Sequence, residues 1–230
     1  MSPLFKRDQL TISVVIVTRN RSKFLQRCLD SLMNQNYRNF EIIIVDGGST
    51  DDTKDVISCY PVTFLLQPGI GMCNARNFGI HHAQGEIIAF IDDDAIADEN
   101  WLRELAEIYR FDSNIGGVGG KVIQMTPATV QPQHNRIMNF FLEMPRLILR
   151  YNEPTMQGKI FRGVIYPVGG EDIKEVDWLI GCNMSFRKKV LDEIGGFDEN
   201  FYGISWGEDA DVCIRVKELG CKLIYSPNAI

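Results

Sequence analysis

The sequence lacks the features that mark several common classes of protein. None of its six cysteines forms a C-x-x-C pair and no histidine stands at ligand spacing from them, so a zinc site is not expected. The scattered cysteines fit reduced thiols better than a disulfide framework. No apolar run reaches the ~20 residues of a membrane-spanning helix, and the opening MSPLFKRDQL lacks the apolar core of a signal peptide. We therefore expect a soluble, cytoplasmic protein.

An excess of positive charge is also missing. The formal net charge is -6 at pH 7, whereas a nucleic-acid-binding protein usually carries a basic surface. We therefore expect no nucleic-acid partner, and any phosphorylated ligand must be received by a metal ion or by a local basic group. The segment TRNRSKF, after the first apolar run, contains no glycine. This argues against the G-x-G-x-x-G loop of a nicotinamide-dependent dehydrogenase.

Two periodicities alternate in the first half of the chain. Apolar, β-branched runs begin at Thr11, Glu41, Val62 and Glu86. Runs that are apolar almost throughout are typical of strands buried on both faces of a parallel sheet. Helix-like patterns fill the gaps at 22–35, 51–59 and 72–83. The sequence therefore predicts a single α/β domain, a doubly wound and mostly parallel sheet flanked by helices.

The second half is less regular. A helix is predicted over 98–111 and a strand from about Val118, after the glycine-rich IGGVGG. Residues 126–177 fit a core-capping insertion of loop, helix and hairpin, in which Pro145 would end or kink the helix. An acceptor lid, or a surface that rests on a membrane, is the alternative. A strand, a turn, a strand and a short helix should follow. A helix from near Gly207 to Gly220 and a final strand should end the chain.

Acidic side chains collect where predicted strands end. Asp46 ends the second strand in VDGGSTDDT, and Asp92, Asp93 and Asp94 end the fourth in FIDDDA. Parallel strands end at one edge of a sheet, and ligands bind outside that edge. Adjacent carboxylates repel each other, and a hard divalent ion such as Mg²⁺ or Mn²⁺ would relieve the repulsion. For the Asp46 motif, the alternative is a turn with a helix cap. For the three adjacent aspartates, the alternative is a solvated acidic loop.

A third acidic group, Glu208, Asp209 and Asp211, opens the last predicted helix. Acidic residues in a first helical turn complement the helix dipole, which is the simplest interpretation. A carboxylate at this place is also the remaining candidate for a general base. Arg76 stands early in the helix after the third strand. It could pair with Asp46, touch a ligand at the same edge, or lie on the surface.

Six motifs together resemble the family-2 inverting glycosyltransferases with the GT-A fold. In chain order they are SVVIVTRNR, VDGGSTDDT, ARNFG, FIDDDA, GCNMSFRKKVLDEIGGFDE and GEDADVCIRVKELG. The resemblance implies one catalytic domain over 1–230, with a nucleotide-sugar-binding half (1–125) and an acceptor-binding half (126–230). Many family members place a metal-binding histidine shortly after the final strand. We therefore expect the natural chain to continue beyond Ile230.

The resemblance also assigns roles on the nucleotide side. Thr18 would lie against the base or ribose, and Asp46 would accept a hydrogen bond from the base, such as a uracil N–H. Arg76 would help to hold the nucleotide. Many relatives have a second acidic residue where this chain has Gly47, which puts a further ribose contact in doubt.

The reacting side of the site follows from the same resemblance. Asp92 and Asp94 would form the metal-binding D-x-D pair, with Asp94 the direct ligand and Asp92 nearer the ribose, while Asp93 would contribute to nucleotide binding. The cofactor would be Mg²⁺ or Mn²⁺, which stabilises the departing diphosphate. Asp209 would take the proton from the attacking hydroxyl. One displacement with one base inverts the anomeric carbon.

The predicted function is transfer of a sugar from a nucleoside-diphosphate sugar, a UDP-sugar by preference, to the hydroxyl of a saccharide or lipid-linked saccharide, as in polysaccharide biosynthesis. Trp178 could stack on that acceptor, with a core tryptophan as the alternative. A lipid-linked acceptor would bring the protein to the inner face of a membrane as a peripheral protein. A sugar-phosphate nucleotidyltransferase and a non-catalytic nucleotide-sugar-binding module are the alternative functions.

Overall fold

The apolar runs of the first half form four parallel strands. The computed structural model describes residues 10–123, 171–201 and 207–230. The four strands are β1 (Ile12–Thr18), β2 (Phe40–Asp46), β3 (Thr63–Leu66) and β4 (Ile87–Ile91). β1 lies between β2 and β4, and its register runs to the pair Thr18 and Asp46 at the carboxyl ends. These two predicted site residues are thereby neighbours.

Four strands later in the chain extend the same sheet. They are β5 (Ile115–Gly120), β6 (Lys174–Val176), β7 (Asn183–Arg187) and β8 (Lys222–Ser226). Among the described residues, the sheet has eight strands in the order β3-β2-β1-β4-β7-β5-β8-β6. β7 runs antiparallel to both β4 and β5, and β6 runs antiparallel to β8. The prediction of a mostly parallel sheet flanked by helices is confirmed.

Helices cover both faces of this sheet. They are α1 (Ser22–Met33), α2 (Thr53–Ser58), α3 (Met72–His82), α4 (Trp101–Phe111), α5 (Lys188–Ile194) and α6 (Glu208–Glu218). Side chains of a strand alternate between faces, so Val14 and Ile16 pack with α1 and α4, whereas Val15 packs with α3, α5 and α6. Two apolar cores result, one on each face.

Two details differ from the sequence prediction. The glycine-rich run itself forms strand β5. Glycine is needed there because the neighbouring residues leave no room for side chains. A Cβ on Gly120 would lie 1.7 Å from the Ala229 carbonyl oxygen, and one on Gly117 would lie 2.7 Å from Leu223 Cδ2. β3 is not buried on both faces as predicted. It lies at the edge of the sheet, where Phe64 and Leu66 are exposed.

Most of the insertion predicted at 126–177, including Pro145, lies outside the described residues. Its interpretation as a cap, a lid or a membrane-facing surface therefore stays a prediction. Within the three described segments, no helix has both the length and the apolar character that crossing a membrane requires.

Candidate active site

A cavity of about 380 Å³ opens at the carboxyl ends of the central strands. Its walls come from the loops that follow β1, β2, β3 and β4. The polar side chains that line it belong to Thr18, Arg19, Arg21, Gln67, Asp92, Asp93 and Asp94. The cavity therefore lies at the edge where an open α/β sheet binds ligands.

Asp93 is anchored within the protein. Thr18 Oγ1 donates a hydrogen bond of 2.7 Å to Asp93 Oδ2, and Arg21 Nε lies 3.0 Å from Asp93 Oδ1. Burial raises the pKa of Asp93, while the Thr18 hydroxyl and the Arg21 guanidinium act in the opposite direction. The Thr18 hydroxyl is thus hydrogen-bonded to Asp93, and both residues line the cavity.

Asp92 and Asp94 present the other two carboxylates to the cavity. Asp94 has about half of its side chain exposed and forms an ion pair with Arg21. Burial raises the pKa of Asp92, Arg76 lowers it and the neighbouring Asp94 raises it further. A cation at this position would relieve the repulsion between the two carboxylates.

The donor set fits a metal ion only in part. Within the described residues, no three histidine, cysteine, aspartate or glutamate side chains converge as a metal site. Asp92 and Asp94 provide two carboxylates, and Mg²⁺ is commonly bound by one or two carboxylates with substrate phosphates and waters. The described residues are therefore compatible with a metal ion that binds together with a diphosphate.

Asp46 lies behind the cavity wall. It is fully buried, and its two carboxylate oxygens accept hydrogen bonds from the Ser49 backbone N–H at 3.0 and 3.1 Å. The Ser49 hydroxyl also donates to Asp46 and accepts the Asn20 backbone N–H at 2.8 Å. Asp46 thereby fixes the turn after β2 and ties it to the loop after β1. Gly47, rather than Asp46, lines the cavity.

Arg76 is buried and does not line the cavity. Its Nη1 lies 3.2 Å from Glu208 Oε1, and its guanidinium carbon lies 5.2 Å from the centre of the Phe197 ring. Of the alternatives open for Arg76, pairing with Asp46 and a place on the surface are not what the structure shows, since Arg76 is buried and pairs with Glu208.

Asp209 stands in the first turn of α6. The Gly181 N–H donates to Asp209 Oδ2 at 3.2 Å, and the Ala210 N–H donates to Oδ1 at 2.8 Å. Burial raises the pKa of Asp209 and the Glu208 carboxylate raises it further, while Trp178, Ala210 and Arg76 lower it. The raised pKa makes this partly buried carboxylate a stronger base than an ordinary aspartate, which suits it to accept a proton.

Cys182 connects the two acidic regions. Burial raises the pKa of this thiol to about 12, and Asp92, Asp94 and Asp209 all contribute by their charge. The electrostatic fields of the strand-end carboxylates and of the helix-start carboxylate therefore overlap at the turn before β7. The charges of Asp92, Asp94 and Asp209 therefore all act on the Cys182 thiol.

Sequence reasoning missed two residues that the structure makes prominent. Arg21 belongs to the TRNR motif and pairs with Asp93 and Asp94; a basic residue three positions after Thr18 was the available signal. Gly181 contacts Asp209 through its backbone. Nothing in the local sequence except a glycine in the GCN motif indicated this contact.

The sheet order, the acidic cavity at the strand ends and the aspartate at the start of α6 define the class of GT-A glycosyltransferases. The chain belongs to glycosyl transferase family 2, whose family model matches residues 13–170. A second family model, described as the N-terminal domain of galactosyltransferase, matches residues 174–230. The resemblance inferred from the six motifs is confirmed.

Curated relatives are glycosyltransferases. The chain is 27% identical over 235 residues to a glucosyl-dolichyl phosphate glucuronosyltransferase of Haloferax volcanii, covering 96% of this chain and 68% of the relative. It is 28% identical over 238 residues to a chondroitin synthase of Escherichia coli, covering 94% of this chain and 34% of the relative. This chain thus corresponds to one part of longer proteins.

Solved structures share the fold. The mannosyltransferase PcManGT from Pyrobaculum calidifontis, in complex with GDP-Man and Mn²⁺, has a TM-score of 0.66 at 21% identity and covers 96% of this chain and 56% of its own. GalNAc-T7 with UDP, GalNAc and Mn²⁺ has a TM-score of 0.69 at 19% identity and covers 97% of this chain and 43% of its own. At these identities the comparison establishes the GT-A architecture.

Proposed function

We propose that this protein transfers a sugar from a nucleoside-diphosphate sugar, a UDP-sugar by preference, to an acceptor hydroxyl with inversion and with the help of a divalent metal ion. One observation carries the proposal. Asp92 and Asp94 line a cavity at the strand ends, while the partly buried Asp209 has a raised pKa and acts by its charge on the same Cys182 thiol as Asp92 and Asp94 do. The arrangement supplies a place for a diphosphate and a base for an acceptor.

The nucleotide would enter the cavity between the loops after β1 and β3. Thr18, Gln67 and the backbone of Gly47 and Gly71 line it. Gln67 Nε2 donates to the Gly71 carbonyl at 2.9 Å, so its amide oxygen is the part available to a base. Asp46 would act by holding the turn that carries Gly47, and a direct bond to uracil would require this turn to open. Arg76 does not line the cavity, so it would act on the site indirectly, through its buried ion pair with Glu208.

The diphosphate carries negative charge that the acidic cavity cannot receive alone. A bound Mg²⁺ or Mn²⁺ would supply Lewis-acid stabilisation of that charge. Asp94 is the more exposed carboxylate and Asp92 the second, so these two would hold the metal ion. Arg21 would have to release Asp94, and its guanidinium would then be free to face the phosphates.

The acceptor would approach on the side of α6. Asp209, fixed by the N–H groups of Gly181 and Ala210, would take the hydroxyl proton as the oxygen attacks the anomeric carbon. Attack from the side opposite the leaving diphosphate gives inversion. A saccharide or a lipid-linked saccharide is the proposed acceptor, in keeping with relatives that carry the names chondroitin synthase and glucosyl-dolichyl phosphate glucuronosyltransferase.

A nucleotide-sugar screen tests the proposal. The protein is heated with UDP-glucose, UDP-GlcNAc, UDP-glucuronic acid, UDP-galactose or GDP-mannose, each with and without Mn²⁺. We expect one UDP-sugar to raise the Tm most, and only when Mn²⁺ is present. The best nucleotide sugar is then incubated with saccharide acceptors, and the released product is analysed.

Release of nucleoside diphosphate supports glycosyl transfer. Release of pyrophosphate from a nucleoside triphosphate and a sugar phosphate would instead support a nucleotidyltransferase. Binding of the nucleotide sugar with no turnover on any acceptor, and no slow hydrolysis, would favour a non-catalytic binding module. The anomeric configuration of the product, read by NMR, tests inversion.

A further inference from the structure

A buried ion pair joins the two halves of the chain beneath the site. Arg76 comes from α3, in the first half, and Glu208 from α6, in the second. Their side chains are only 6% and 8% exposed, and Arg76 Nη1 lies 3.2 Å from Glu208 Oε1. The guanidinium also faces the rings of Phe197 and Phe90, at 5.2 and 5.9 Å from their centres. Both partners therefore have little freedom to move.

Gly181 lies between this ion pair and Asp209. A Cβ added at Gly181 would lie 3.3 Å from Arg76 Nη2 and 3.5 Å from Asp209 Oδ2. The Gly181 N–H donates to the same Oδ2 atom. The absence of a side chain therefore lets the guanidinium and the Asp209 carboxylate approach the turn from two directions.

Glu208 is only partly satisfied by this contact. Its Oε2 is buried and has no hydrogen-bond partner within the described part of the chain. A buried carboxylate with one unpaired oxygen lowers the stability of the fold. Such a group therefore calls for an explanation beyond stability. Its neighbour in the sequence is Asp209, and the two negative charges lie close together.

We infer that Arg76 and Glu208 form a positioning pair that holds the start of α6 against Gly181 and sets the charge balance at Asp209. The inference rests on the proposed role of Asp209 as the general base. Arg76 and Glu208 would act through Asp209, without touching the nucleotide sugar. This gives Arg76 a role different from direct contact with the nucleotide.

The charges around Asp209 fix the sign of the expected effect. Burial and the Glu208 carboxylate raise its pKa, while the Trp178 and Ala210 hydrogen bonds and the Arg76 charge lower it. Glu208→Gln keeps an oxygen that can accept the hydrogen bond from Arg76 and removes the negative charge. It also leaves the Arg76 charge uncompensated. Both changes lower the pKa of Asp209.

The experiment measures this carboxyl directly and needs no substrate. The whole chain is labelled with ¹³C at the aspartate side-chain carboxyl, and its NMR signals are followed from pH 4 to pH 9. Asp209→Asn identifies the Asp209 signal by its loss. We expect the midpoint of this signal to fall in Glu208→Gln. Glu218→Gln, which removes an exposed charge from the far end of the same helix, should leave the midpoint unchanged.

Arg76→Lys provides a second variant that keeps the positive charge. It should leave the Asp209 midpoint closer to the wild-type value than Glu208→Gln does, even if it lowers the Tm. A midpoint in Glu208→Gln that equals that of Glu218→Gln, in a protein with wild-type amide spectra, would overturn the inference. The role of Asp209 is judged separately by the turnover of Asp209→Asn. The positioning pair and the general base can therefore fail independently.

Discussion

Asp209 carries the proton transfer in the proposed mechanism, and its substitution is the sharpest test at the scale of one residue. Asp209→Asn keeps the size and one acceptor oxygen, so it can keep one of the two hydrogen bonds that the Gly181 and Ala210 N–H groups donate, but it cannot accept the proton. We expect turnover to fall by ~10²–10⁴, the usual contribution of a general base. Binding of the nucleotide sugar, measured by calorimetry, should stay within about twofold.

Asp211→Asn is not a suitable control, since Asp211 pairs with Arg215 and is buried. The exposed Asp192 is better, and Asp192→Asn should leave turnover unchanged. Full activity in Asp209→Asn would remove Asp209 from the mechanism.

Burial also predicts the pH dependence of the reaction. Asp209 must be deprotonated to act as a base, and its raised pKa means that a larger share is protonated as the pH falls. The acid limb of turnover should therefore lie above the ordinary aspartate value of about 3.9. The profile is recorded with the best nucleotide sugar at saturating Mn²⁺. A limb at or below pH 4 would show that another group controls the acid side.

The sequence located the acidic residues but not the geometry of each side chain. Asp92 and Asp94 line the cavity, which the strand-end position and the spacing of the two carboxylates predicted. Asp46 and Arg76 were expected to face a ligand, and the structure buries both. Contacts such as those of Ser49 with Asp46 or Glu208 with Arg76 depend on the final packing. A local motif does not contain that information. The roles of these residues stay predictions.

At the scale of an element, α1 brings a cation to the acidic cluster. Arg21 precedes the first residue of α1 and contacts Asp93 and Asp94. A metal ion at Asp94 must displace this guanidinium. Partly exposed ion pairs contribute about 0.2–1 kcal/mol, and 1 kcal/mol corresponds to about fivefold in affinity.

Arg21→Gln should therefore bind Mn²⁺ more tightly than the wild type, by up to about fivefold, when no nucleotide is present. Electron paramagnetic resonance of free Mn²⁺ gives the Kd. Arg27→Gln, which removes an exposed charge elsewhere on α1, is the matched control and should bind like the wild type. Weaker Mn²⁺ binding in Arg21→Gln would mean that the guanidinium supports the metal site instead of competing with it.

The predicted elements agree with the structure wherever a pattern was strong. β1, β2 and β4 are apolar almost throughout, and the structure buries most of their residues between helices. β5 was placed too late because four glycines in six residues do not read as a strand. They are explained by close packing against Leu223 and Ala229. The need for glycine at these positions arises only when the strands are packed together in the sheet.

At the scale of the whole molecule, Ala229 and Ile230 hold separate parts of the fold together. The Ala229 carbonyl accepts a hydrogen bond of 2.9 Å from Asn183 Nδ2 on β7. The Ile230 carbonyl accepts the Asp98 N–H at 2.7 Å. Gly120 of β5 lies directly against Ala229. The segment therefore connects β5 and β7 with the loop before α4.

Gly120→Ala should be strongly destabilising, because its Cβ would lie 1.7 Å from the Ala229 carbonyl oxygen, a backbone atom. Overpacking of this kind costs about 1–3 kcal/mol, which lowers the Tm by about 2–12 °C in a chain of this size. Gly47→Ala, whose added Cβ would have its nearest neighbours at 3.4 Å, is the control for calorimetry. Equal melting temperatures for the two variants would contradict the tight packing at Gly120.

The sheet order has a consequence for the boundary near residue 125. β5 belongs to the first half by sequence, yet its only partners in the sheet are β7 and β8 from the second. β4 pairs on one side with β7 as well. A fragment that ended there would expose a central strand with unpaired backbone groups and leave β5 without a neighbour, which invites aggregation. The two halves thus share one sheet, and a chimera that recombined them as exchangeable modules would have to preserve the pairing between β4 and β7.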